Sequence, residues 1–312
     1  MDRPSDIPTS DERLAEQRRV RGTTDTISGE GRSRSRASRI WHQFRHQRGG
    51  LIGGIVLLVL VLSTIFAGIV APHDPADQIP NASLKPPSRD YPLGTDVYGR
   101  DMLSRILYGG RISLSIGLVS VAIAASCGVV LGLLAGYYGA WVDTVIMRFM
   151  DMILALPGLL LALVIVAMLG PSINNVMIAV GTSTVPVFTR IVRGSVLSAR
   201  ETTYVEAARV VGCPDYVILR RHILPNIIAP IIVLATLNIA IAILIGASLS
   251  YLGVGVQPPT PEWGSMLSQG RDYLLGQWWI ATFPGVAIFI AVLSINMAGD
   301  GLREALDPRM TM

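Results

Sequence analysis

Six stretches free of Asp, Glu, Lys, Arg and His punctuate the chain: Leu51 to Ala71, Ser113 to Gly136, Met152 to Gly170, Ile173 to Thr189, Ile227 to Leu249 and Ile280 to Gly299. A helix rises about 1.5 Å per residue, so a run of about 20 apolar residues crosses a hydrocarbon core about 30 Å thick. The pattern predicts an all-α membrane protein with six transmembrane helices, each bounded by Gly, Pro or charged residues. The first run reads as a retained span. The basic region before it is too long for a leader, the run exceeds an h-region, and Pro72 follows the likeliest cleavage residue. Within the second, Ala124, Gly128, Gly132 and Gly136 recur every four residues. They place a small-residue stripe on one face, suited to close helix packing or to a smooth pore lining. Pro157, Pro186, Pro230 and Pro284 lie in or beside the spans, where they permit kinks that could serve gating or simple packing.

Composition agrees with this solvent. Of 312 residues, 51% are hydrophobic and 15% charged, and the mean hydropathy is +0.50. The lipid bilayer is thus the expected surrounding. Charge also sets an orientation, because arginines from Arg18 to Arg48 crowd the chain ahead of the first span, and Arg190, Arg193, Arg200, Arg209, Arg220 and Arg221 follow the fourth. Positive residues mark the cytoplasmic side, which puts residues 1–49, 190–226 and both termini inside and residues 72–112 and 250–278 outside. Arg100, Arg105 and Arg111 run against that rule, with Asp90, Asp96 and Asp101 beside them. Residues 1–40 read as a disordered cytoplasmic tail, dispensable for function; with no aromatic or motif beside its arginines, nucleic acid is not expected as a partner.

Several chemistries are disfavoured. No span carries an ionisable residue near its centre, as ion-coupled carriers require. Lys85, the only lysine, sits between Leu84 and Pro86, so no P-loop exists to hold ATP. Neither H-E-x-x-H nor G-x-S-x-G occurs, and Cys127 and Cys213 offer no metal spacing, leaving no catalytic residue, no metal site and no cofactor in this chain.

The segment 200–226 is distinctive. Glu206, Ala207 and Ala208 precede Gly212, Pro214, His222 and Pro225. Alanines favour helix and leave a flat surface, Gly212 permits a left-handed cap, and Pro214 suits the first turn of a following helix. From physics alone this is either an ordinary cytoplasmic loop or a rigid docking knob.

The wording resembles the E-A-A, Gly, Leu-Pro signature of binding-protein-dependent ABC importer permeases. That resemblance implies a coupling helix docking into a separate ATPase subunit, so Glu206, Ala207, Ala208, Gly212, Pro214 and Pro225 inherit the coupling role. Three further stretches narrow it to the C-type permease of the dipeptide/oligopeptide/nickel group: Gly94, Asp96, Gly99, Arg100, Asp101 and Arg105 before the second span; Gly253 through Gly264 after the fifth; and Asp300, Arg303 and Asp307 at the end. The polar residues of the first stretch are expected to pair with one another at the membrane surface, and Asp300 and Arg303 to fix the helix end or contact the ATPase. His222 fits the peptide branch, whereas the tail before Arg39 has no counterpart.

The implied architecture is a type I permease of a bacterial inner membrane. A first helix and external segment (41–112) precede a MetI-like five-helix core (113–312). The implied partners are a B-type permease, two ATPase domains that bind ATP and Mg, and an extracytoplasmic binding protein. Short peptides are the implied solute, with nickel, heme, glutathione or an opine-like solute as alternatives in the same group. The rival class is an autonomous channel or secondary carrier, with an enzyme more distant.

Overall fold

The computed structural model describes residues 47–306; the tail 1–40 and Asp307 lie outside them. The described chain is helical, with no strand. Helix α1 (Arg48–Ile65) is the first span, followed after a break at Phe66 by the short α2 (Ala67–Val70). Helix α3 (Met102–Tyr138) begins well before the expected Ser113 and measures about 55 Å. Its early turns tolerate Arg105 and Arg111 because both find partners. Arg111 donates from Nε and Nη2 to the carbonyls of Thr64 and Ile65 at 2.6 and 2.7 Å, satisfying acceptors that the end of α1 would leave bare.

The third expected span is broken. Helix α4 (Ala140–Leu154) and α5 (Gly158–Leu169) meet at 86° across Pro157, so the run beginning at Met152 is not one continuous helix. At about 18 Å, α5 alone is shorter than the hydrocarbon core. The packing nevertheless shows that this pair crosses. Helix α6 (Ile173–Arg200) lies along α3 with Gly181 against Ser120 and Ile123, Gly132 against Val192 and Gly136 against Val196. Residue numbers rise together on both helices, so they are parallel, and residues 139–172 must return to the far side between them.

The small-residue stripe makes that contact. A Cβ on Gly132 would sit 2.7 Å from Val192 Cβ and 2.8 Å from the Thr189 carbonyl; one on Gly136 would sit 2.7 Å from Val196 Cβ. Ala124, Phe188, Val192 and Val196 are fully buried there. Gly132→Leu is therefore expected to force α3 and α6 apart, costing at least about 1–3 kcal/mol. Gly194 on α6 has open space around it. Gly194→Leu should be tolerated, which a comparison of folded, monodisperse yields would check.

The chain then turns through α7 (Thr203–Val210), α8 (Asp215–Val217) and a wide π-helical turn, Ile218–Ile223, into α9 (Leu224–Tyr251). Pro225 lacks an N–H for the i→i−4 ladder, and the wide turn immediately precedes it. Beyond α9, a short helix α10 (Trp263–Gly270) leads to α11 (Trp279–Leu306). Pro186, Pro230 and Pro284 lie inside α6, α9 and α11.

Contacts fix the alternation of crossings. Gly117 of α3 meets Ile243 of α9, while Ile227 of α9 clusters with Tyr137, Val192 and Val196, so α9 runs opposite to α3. Gly53 of α1 meets Met297 and Ala298 near the end of α11, and Trp279 at its start donates to the Thr95 carbonyl at 3.1 Å. Both ends of the described chain lie at the end of the bundle that carries α7. Residues such as Ile55, Leu118, Val130, Ile178, Leu244 and Phe289 stay exposed along the helices, a surface that needs lipid rather than water.

Candidate functional site: the knob and the opposite polar cluster

Helix α7 is a knob of two turns. Thr202 precedes it in extended backbone, and Val205 and Ala208 on one face are buried against Val192, Val196, Ala199, Ile218, Ile223 and Ile227. The helix ends where the sequence places the cap. Gly212 has φ +83°, its N–H donates to the Arg209 carbonyl at 2.9 Å, and the Cys213 N–H reaches the Ala208 carbonyl at 3.0 Å. This pair of bonds is the Schellman arrangement, with glycine at the left-handed position. Pro214 stands just before α8 rather than inside its first turn.

The exposed face of α7 differs from the one the resemblance implies. Glu206 and Ala207 are exposed, but Ala208 is only 9% exposed and packs inward, so it cannot offer surface to a partner. A helical period puts Ala208 one turn beyond Val205, on the buried side. Apolar exposure comes instead from Val210 at 83%, Val211 at 82% and Tyr216 at 72%. Tyr204 braces the knob, its hydroxyl accepting from Asn226 Nδ2 at 3.1 Å, beside Pro225 at the start of α9. At the same end of the bundle, Asp300 and Arg303 are exposed on α11 and form no ion pair among the described residues.

The opposite end holds a buried charge network. Asp96, Arg100, Asp101 and Arg105 are each no more than 3% exposed. Asp96 Oδ2 accepts from Arg100 Nε at 2.6 Å and lies 3.6 Å from Arg105 Nε, while its Oδ1 accepts from the N–H groups of Tyr98 and Arg100. Asp101 caps α3, its Oδ2 accepting from the Ser104 N–H at 2.8 Å and hydroxyl at 2.6 Å. Arg105 also donates to the Pro75 and Pro259 carbonyls, and Arg100 to Gln269, tying the segment 72–101 and the start of α3 to the loop before α10 and to α10 itself. Asp96 thus pairs with Arg100 and Arg105 inside the protein, whereas Asp101, expected to join that pairing, spends its carboxylate on the cap of α3. Gly94 and Gly99, both with positive φ, turn the backbone tightly enough to deliver them.

Glu262 is a buried acid that the sequence reading passed over. It caps α10, accepting from the Gly264 and Ser265 N–H groups at 2.9 and 2.8 Å, and receives the Ser113 hydroxyl of α3 at 3.0 Å. Burial pushes its carboxyl above the usual range, against the pull of those donors. Its signal was a carboxylate immediately ahead of Trp-Gly-Ser at the start of a helix.

Comparison with known proteins decides the family. Residues 128–312 match the family described as binding-protein-dependent transport system inner membrane component, and residues 35–87 match the N-terminal TM domain of oligopeptide transport permease C. The chain is a C-type permease of that importer family. The permease is 46% identical to the di/tripeptide transport system permease protein DppC of Pseudomonas aeruginosa, over 86% of its own length and 91% of that protein. It is 46% identical to a dipeptide transport system permease protein DppC of Alkalihalophilus pseudofirmus, over 86% and 88%. It is also 44% identical to the glutathione transport system permease protein GsiD of Pectobacterium atrosepticum, over 86% and 90%. An inward-facing structure of the MetNI methionine ABC transporter superposes on 66% of the permease and 98% of that chain, with TM-score 0.54 at 18% identity. That likeness gives the helical bundle a type I importer fold.

Proposed function

We propose that the permease forms half of a translocation pathway for short peptides, paired with a B-type permease, supplied by an extracytoplasmic binding protein and driven by two separate ATPase domains. The knob carries this reading. Its exposed Glu206, Ala207, Val210 and Val211 stand on a braced, glycine-capped turn, a rigid, largely apolar surface with one acidic residue, of the kind a partner groove accepts. ATP and Mg belong to the ATPases, and differential contact of the knob with their open and closed forms biases the permease between inward and outward states. The names carried by its relatives support a short peptide as solute.

In this reading the knob and both termini face the cytoplasm, as the arginine asymmetry asks. With Cys127 and Cys213 replaced by Ala, Val211→Cys should react with an impermeant maleimide only in opened or inverted vesicles, and Leu275→Cys in sealed cells. The reverse pattern would overturn the orientation. Purification supplies the functional test: the permease should co-elute with an ATPase and a second permease, and ATP-dependent dipeptide uptake should need all of them. Uptake by the permease alone would refute the reading.

A further inference from the structure

We propose that Tyr137, a buried residue that belongs to no sequence motif, is a positioning residue that latches the knob to α3 and carries its displacement into the helix bundle. The inference rests on the coupling role of the knob. Tyr137 is the penultimate residue of α3 and is 6% exposed, buried among Val205 and Ala208 of the knob and Val192 and Val196 of α6. Its side chain grips the C-terminal end of the knob at two points. The hydroxyl donates to Asp215 Oδ1 at 2.6 Å, just past the glycine cap, and the Arg209 guanidinium lies over its ring at 5.1 Å, in the last turn of α7. The backbone joins too: Arg200, at the end of α6 where the chain enters the knob, donates from Nη1 to the Tyr137 carbonyl at 3.2 Å. That carbonyl is one the end of α3 would leave bare, and a cation there also suits the helix dipole.

Three approaches to the knob, its entry, its last turn and its exit, therefore converge on one residue. A push on the knob that moved Arg209 and Asp215 together would be felt at Tyr137. From there α3 is locked to α6 by the glycine stripe, which lets the backbones touch and leaves little slack between them. A chain of packed side chains with a hydrogen bond at its head is the physical route along which such coupling passes. Coupling through the apolar cluster alone would survive loss of the hydroxyl; coupling through the latch would not.

The test uses the reconstituted complex and the ratio of substrate-stimulated to unstimulated ATP hydrolysis, with peptide imported per ATP as a second readout. Tyr137→Phe keeps the ring beneath Arg209 and removes only the hydroxyl. It should leave assembly and unstimulated hydrolysis near wild type and lower the stimulation ratio at least about fivefold, the lower end of ordinary coupling effects. Asp215→Ala, at an exposed position, should do the same, Asp215→Asn should restore most of the ratio by keeping an acceptor, and Tyr137→Phe combined with Asp215→Ala should be no worse than either alone. If Tyr137→Phe and Asp215→Ala both retain the full ratio while Gly212→Val abolishes it, the latch is wrong and the docking reading stands. If Gly212→Val also retains full stimulation, the docking reading itself has failed. An additive double variant would likewise overturn the latch.

Discussion

Replacing Gly212 by valine is expected to abolish uptake and substrate-stimulated ATP hydrolysis while leaving the spans inserted. Gly212 holds φ +83° with open space where a side chain would go, so the damage comes from backbone strain and not from collision. A left-handed β-branched residue costs about 1–2 kcal/mol or more, enough to break the two capping bonds of α7 and shift its exposed face. The same logic yields a control: Gly212→Asn, which tolerates the left-handed region, should keep most of the activity. Activity and ATPase stimulation in proteoliposomes, measured beside the amount of assembled complex, separate the two variants. Ala207→Trp, on the exposed face, should block docking with the permease still folded, and Glu206→Lys should reverse the charge presented there. Ala208→Trp should instead disturb the buried cluster beneath the knob.

Asp96→Ala is expected to be among the most destabilising single changes in the molecule. Arg100 and Arg105 converge on that carboxylate and are 2% and 1% exposed, so removing it leaves two buried guanidinium groups without their counter-charge. Breaking a buried pair in this way costs about 3–5 kcal/mol, against less than about 1 kcal/mol for an exposed pair. Arg271 and Asp272 form such an exposed pair, with side chains 56% and 75% accessible. Thermal denaturation of the purified permease should therefore show a large loss for Asp96→Ala and little for Asp272→Ala. Equal, small shifts would mean that the outer network contributes no more than a surface pair does.

The six crossings were legible because each leaves an uncharged run, and uncharged runs of that length have few other uses. Their ends were not, because the polar residues that close a run in sequence are satisfied by distant partners in space. The start of α3 carries Ser104, Arg105 and Arg111, which read as external loop until Asp101, Asp96 and the α1 carbonyls supply their partners. Most of helix α4 falls in none of the six runs: its Asp143 and Asp151 look like solvated charges, yet they pair with Arg193 and Arg190 at 2.6 Å. In the knob, the glycine cap was readable from one residue, whereas the burial of Ala208 depends on how α7 seats on α6 and α9. Glu262 escaped notice for a related reason, since no apolar run contains it and only folding brings Ser113 to it.

Crosslinking at the knob tests the central claim most directly. Val211 is 82% exposed beside the glycine cap, on the surface assigned to the ATPase. In a complex with Cys127 and Cys213 replaced by Ala, a short thiol-reactive photocrosslinker on Val211→Cys should join the permease to an ATPase subunit, at a yield that changes between nucleotide-free and ATP-trapped states. A complex that transports peptide at the normal rate, but in which that position crosslinks to lipid or to the second permease and never to an ATPase, would contradict the account.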